Sequence, residues 1–250
     1  MKHSSIKRAD KIFPYAVGLA LFAGAASFAH NVYLRMGRST EVENHININR
    51  SRYTEEQRRF GITIIPPILD FDVPLGDPSL PDSAIAVYPG RGNTIFIRSL
   101  LLEHEYGDSQ EISLEKKIDA TVHHETVHYY MAQECAGGVF QNFEPHASPE
   151  MLATRLIIEG TAEYVSMKLS DVPNQLTDDS IPRGEKALKE IRENTYKVGA
   201  HLVKPIIDTF GVDALCYLYD NQPSREELAN LKQYQERIMG EMDTAMKQKK

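Results

Sequence analysis

Tryptophan is absent from this 250-residue chain, and cysteine is nearly so, with only Cys135 and Cys216. No C-x-x-C pair occurs, which excludes a paired-thiolate metal or redox motif. No basic face stands out, with 28 Lys and Arg against 35 Asp and Glu and a formal net charge of −7, so a nucleic-acid footprint is excluded. There is no internal repeat and no low-complexity segment, which argues against a solenoid or a propeller. Hydrophobic content of 42% with 25% charged residues is ordinary for a globular protein and excludes disorder over the whole length. The length allows one catalytic domain with a sizeable core, or at most two small ones.

The first thirty residues stand apart. Lys2, Lys7, Arg8 and Lys11 form a basic lead, and Ile12–Ala29 then carries no charge. Ser27 and Ala29 are small residues spaced for signal-peptidase cleavage before His30. The uncharged run is also at the lower limit for a membrane span. Residues 1–29 therefore read either as a cleaved signal peptide or as an N-terminal anchor attaching the chain to a membrane through residues 12–29. Both place residues 30–250 outside the cytoplasm, periplasmic or secreted, because the basic lead stays inside. A buried N-terminal helix of a cytosolic protein fits the pattern less well. In an oxidising compartment Cys135 and Cys216 either pair or remain two separate buried thiols.

Along the rest of the chain, TEEQRRFG (54–61) reads as the end of a helix stopped by Gly61. Ile62–Ile65 suggests a strand ended by Pro66–Pro67, followed by an irregular loop to Ser83. Residues 84–98 hold two β-branched runs around Pro89-Gly90-Arg91-Gly92-Asn93, a hairpin signal. A helix is expected from about Gln110 to Glu134, opened by a capping box of Asp108 and Glu111 and ended by Gly137-Gly138. Ser148-Pro149-Glu150 opens another, running through Glu159 to about Leu169. A third should span Arg183 to Phe210, with a kink at Pro205 and a stop at Gly211. Ser224 with Glu227 opens a last amphipathic helix. A β-containing part (60–105), two helices (110–170) and a helical C-terminal part (183–246) together make an α+β fold, taken as a single domain over 30–250.

The chemistry lies in Val122-His123-His124-Glu125-Thr126-Val127-His128, which contains H-E-x-x-H. On a helix, residues four apart share a face, so His124 and His128 can both reach one tetrahedral zinc. Glu125 sits beside the first of them, too far round to be a good ligand but able to take a proton from water at the metal. His123 points about 100° away from His124 and reads as a bystander. A short motif also occurs by chance, on a helix carrying two solvated or core histidines. Here the flanking helical pattern and a further carboxylate count against that.

Glu159 lies 31 positions after His128, on the next expected helix, in Glu159-Gly160-Thr161-Ala162-Glu163-Tyr164. A catalytic zinc takes three protein ligands and leaves the fourth position open, and Glu159 supplies the third. The competing reading is an i,i+4 ion pair with Arg155. Gly160 would let the two helices approach closely. Glu163, one turn on, is placed to orient a ligand histidine through its other ring nitrogen.

These two motifs, within about residues 84–170, resemble the gluzincin metallopeptidases, in which H-E-x-x-H is followed by a helix bearing a glutamate ligand. E-G-T-A-E-Y is similar to the E-G-x-A-plus-aromatic motif of the aminopeptidase branch and related peptidase families. The resemblance implies a zincin-like fold, one zinc per chain held by His124, His128 and Glu159, and Glu125 as general base. It also implies that an edge strand near the active helix holds the substrate backbone. Asn93, Thr94 and Ile95, in the run to Ile97, are the candidates, unless the hairpin is only structural. The chain lacks a G-A-M-E-N-like strand, and Glu163 stands where thermolysin-like enzymes carry aspartate, so specificity does not transfer. A transition-state oxyanion needs a donor besides zinc, and Tyr196 is preferred over Tyr164 and His201.

The expected activity is zinc-dependent hydrolysis of a peptide or protein substrate by an exported metallopeptidase. The alternatives are a catalytically inactive zincin-fold binding or scaffold protein and a structural protein with a chance motif. The substrate, and whether cleavage is endo- or exopeptidic, cannot be read from the sequence.

Overall fold

A computed structural model describes residues 26–73, 84–106, 112–135, 148–172, 181–182, 184 and 187–248. In chain order the elements are α1 (residues 26–36), α2 (Thr40–Phe60), β1 (Ile68–Asp70), β2 (Ala86–Val87), β3 (Thr94–Ile97), α3 (Ser99–Tyr106), α4 (Leu114–Glu134), α5 (Pro149–Leu169), α6 (Ala187–Glu193), α7 (Thr195–Phe210), α8 (Asp213–Asp220), α9 (Arg225–Leu228) and α10 (Leu231–Gln248). The described chain is mostly helical with one small sheet, compatible with α+β. Of the N-terminal segment, residues 1–25 lie outside the described residues and 26–29 belong to α1. Among the described residues, no helix is long and apolar enough to cross a membrane.

Local chemistry explains most helix ends. The Ser148 hydroxyl accepts the Met151 N–H and Pro149 occupies the first turn of α5, as the sequence suggests. Helix α2 runs from Ser39, whose hydroxyl accepts the Val42 N–H, to Gly61 at φ 109°. The Ile62 N–H closes that cap on the Gln57 carbonyl. This is why Ile62–Ile65 is not a strand: its first residue completes the helix cap and buries its side chain in the core. The strand forms beyond the prolines instead, at Ile68–Asp70, where β3 offers a partner. Helix α4 starts at Leu114 under a Ser113 cap rather than at Gln110, and Asp108, Glu111, Gly137 and Gly138 lie outside the described residues. The expected helix to Phe210 breaks at Asn194, a poor helix former, into α6 and α7. Pro205 lies within α7, and Gly211 ends it. The Ser224–Glu227 capping box is present, but it opens the one-turn α9, after which the chain restarts as α10.

The sheet order is β1-β3-β2. β3 is central, parallel to β1 through Ile68–Thr94, Leu69–Ile95 and Asp70–Phe96, and antiparallel to β2 through Val87–Phe96 and Ala86–Ile97. The hairpin expected over 84–98 is thus present.

Two apolar clusters meet at α4. Its Val127 and Met131 join the larger cluster built by α5, α7, α8 and α10, while Ile118, Val122 and Tyr129 join α2 and the sheet. Helix α4 is therefore buried on two sides, which leaves a limited arc for polar chemistry. Cys135, at the end of α4, and Cys216, in α8, are joined as a disulfide closing a loop of 81 positions. Gly160 makes its close contact with α7 rather than α4. A Cβ on Gly160 would overlap the Gly199 backbone, and a Cβ on Gly199 would overlap the Leu156 carbonyl and the Gly160 backbone. This contact fixes the height of α5 against α7. Gly199→Ala should lower unfolding stability by about 2–3 kcal/mol, the scale of overpacking in a close-packed interior. Denaturant titration measures this, and an unchanged midpoint would rule out such a close approach.

Candidate metal centre

Helix α4 presents His124 and His128 one turn apart, and α5 brings Glu159 across to meet them. The two histidine Nε2 atoms are 3.0 Å apart. Glu159 Oε2 is 3.4 Å from each. Ligand atoms held ~2.0–2.1 Å from a tetrahedral ion lie about 3.3 Å from one another. The triangle therefore has the dimensions of a metal-ligand set, and the group His124, His128 and Glu159 could hold a metal ion. The alternative partner for Glu159, Arg155, lies instead beside the Tyr196 hydroxyl. Glu163 Oε2 is 3.5 Å from His124 Nδ1, the ring nitrogen facing away from the triangle. That is the position from which a carboxylate orients a ligand imidazole.

The triangle brings opposed charges close together in a buried setting. Burial opposes charge on His124, but the carboxylates of Glu159, Glu163 and Glu125 outweigh it and push the imidazole pKa up to about 10. Burial likewise disfavours a charged Glu159, and the charges of His128 and His124 overcome it, holding the carboxyl well below its usual range. A proton and a metal ion therefore compete for the same imidazole.

Glu125 is buried, and its Oε2 accepts the Tyr88 backbone N–H at 2.7 Å, just past β2. Farther along α4 the Gln133 amide donates to the Gly92 carbonyl at 3.4 Å. The segment 88–92 thus lies along α4. The sheet edge next to the helix is β2, while β3 is flanked on both sides. On the β1 side the Asn93 carbonyl accepts the Ile68 N–H at 2.7 Å, and Thr94 and Ile95 pair with β1, while β2 pairs with Phe96 and Ile97. The expected substrate strand, Asn93 to Ile95, is thus the part of the β3 region that pairs with β1.

His123 faces α2, with Gln57 Nε2 at 3.2 Å from its Nδ1 and Glu56 Oε2 at 3.1 Å from its Nε2. It takes no part in the triangle, as its helical angle implies, but it docks α2. One turn earlier, Asp119 receives Arg52 at 2.7 Å, the Tyr53 hydroxyl at 2.7 Å and His45 at 2.9 Å. Burial raises its pKa, but these partners outweigh that and hold the carboxyl below its ordinary value. The sequence reading missed this buttress. Its one sequence signal was an acidic residue one turn from His123 in an otherwise buried stretch.

Of the oxyanion candidates, Tyr196 lies at the triangle, its ring 5.9 Å from that of His124 and 43% exposed. Desolvation, then the charge of Glu159, raises its pKa and keeps the phenol protonated, with Arg155 partly offsetting both. The Tyr164 hydroxyl is committed to Asp208, which also pairs with Lys168 and Lys204. His201 is buried within α7. No family model, curated protein or solved structure matches the chain.

The raised His124 pKa has a measurable consequence. A ligand imidazole must be neutral, so at pH 8 metal binding should expel about one proton per ion from this site. Affinity should also rise about tenfold per pH unit up to the His124 pKa of about 10. Calorimetry of zinc binding in buffers of different ionisation enthalpy counts the proton, and zero release would contradict a charged His124.

Proposed function

We propose that this chain is a zinc-dependent peptidase of gluzincin type, with a zincin-like fold around α4 and α5. The observation that carries the reading is the triangle of His124, His128 and Glu159, with the Glu125 carboxylate adjoining it from the same helical turn. Two imidazoles and one carboxylate with a fourth position left open is the donor set of a catalytic zinc, and nitrogen-rich ligation disfavours magnesium and calcium. Zinc held there would supply Lewis acidity, polarising a carbonyl oxygen and making water acidic near neutral pH. Glu125 takes the proton of the attacking water and delivers it to the leaving amine nitrogen. The water oxygen bonds to the carbonyl carbon and the C–N bond breaks, giving a carboxylate and an amine. Tyr196, neutral at working pH, donates a hydrogen bond to the developing oxyanion. Glu163 keeps His124 in the orientation that aims Nε2 at the metal. The antiparallel edge strand β2 and its extension to Gly92 lie beside Glu125 and are suited to receive an extended substrate.

An extracytoplasmic location, periplasmic or secreted, follows the basic-then-uncharged N-terminus and is supported by the Cys135–Cys216 disulfide, which persists in oxidising compartments. The zinc-loaded protein is expected to cleave members of a broad peptide library. Glu125→Gln should keep zinc and lose roughly 10²–10⁴-fold in turnover, the usual contribution of a positioned general base. Parental turnover in that variant would refute the role of Glu125. A zinc-loaded parent that cleaves nothing would favour the binding or scaffold reading.

A further inference from the structure

The polar stripe of α5 begins with a cation. Arg155, Glu159 and Glu163 succeed one another at four-residue steps, so all three share a helix face. Glu159 is turned to the histidines. The Arg155 guanidinium lies beside the Tyr196 hydroxyl, and its buried Nε has no hydrogen-bond partner. Arg155 thus supplies positive charge to a site otherwise made of carboxylates, imidazoles and a phenol. A planar guanidinium fork matches one chemical group above others, a carboxylate held by two parallel hydrogen bonds.

We propose that Arg155 anchors the free C-terminal carboxylate of the substrate, so that the site acts as an exopeptidase at the carboxyl end of peptides. This rests on the peptidase reading above. The four residues from Arg155 to Glu159 span about 6 Å of helix rise, the length of about two residues of extended chain. The cut therefore releases one or two residues. Tyr196 neighbours both Arg155 and His124.

The test uses the zinc-loaded full chain and two peptides of identical sequence, one ending in a free carboxylate and the other in an amide. The free acid should be cleaved with a kcat/KM roughly 10–100-fold higher, the range for a charge-assisted hydrogen-bonded pair, with products one or two residues shorter. Arg155→Gln should bring the acid-to-amide ratio to about one while zinc content stays at the parental level. Arg155→Lys, which keeps charge but not the fork, should restore part of the preference. Equal cleavage of both peptides by the parent, cleavage at internal bonds, or an equal loss on both substrates in Arg155→Gln would overturn the proposal, the last by showing that Arg155 acts through Tyr196. In the Glu125→Gln background, calorimetry reads the preference as binding. If nothing is cleaved, the peptidase reading fails, yet acid-selective binding lost in the added Arg155→Gln change would uphold the anchor, and equal binding of acid and amide would refute it.

Discussion

Glu159 is a carboxylate withdrawn from water and set between two imidazoles on a neighbouring helix. A buried charge costs several kcal/mol unless it is closely paired, so the geometry holds only if α4 and α5 are fixed against each other. Three features anchor the two helices in the surrounding fold. The glycine pair Gly160 and Gly199 seats α5 on α7 with backbones in contact. The Cys135–Cys216 bridge ties the end of α4 to α8. On the opposite side, Asp119 and His123 hold α4 to α2.

Helix α4 thus divides its polar residues by direction. Those facing α2 are satisfied within the protein: Asp119 by Arg52, Tyr53 and His45, and His123 by Gln57 and Glu56. Those facing α5, His124 and His128, lie within 3.0–3.5 Å of one another and of the Glu159 and Glu163 carboxylates. Such a cluster gains when a cation replaces the shared proton. The same clustering of carboxylates that makes His124 a strong base gives the triangle a geometry that could hold a metal ion. Glu125 lies between the two directions, facing the sheet, where the Tyr88 N–H fixes one of its oxygens.

Much of this was legible in the sequence because it depends on helical spacing. His124, His128, Glu159 and Glu163 come together through four-residue periodicity on two adjacent helices, and Ser148-Pro149 marked the start of the second. The hairpin around Pro89–Asn93 was readable from turn chemistry. What was not legible depends on non-local pairing. Nothing in Ile68–Asp70 signals that it will pair in parallel with β3. A backbone N–H such as that of Tyr88 has no side-chain signature. Gly160 advertised a close approach, but only the tertiary structure names α7 as its partner. Cys135 and Cys216, far apart in sequence, gave no spacing rule by which to pair them.

The most direct measurement is the zinc content of the purified full chain beside its Glu159→Ala variant, after both are supplied with zinc at neutral pH and dialysed. Close to one zinc per chain is expected in the parent and a sharp reduction in the variant, since two imidazoles alone leave the site a ligand short. A parent that retains no zinc, or a variant that retains as much as the parent, would contradict that expectation.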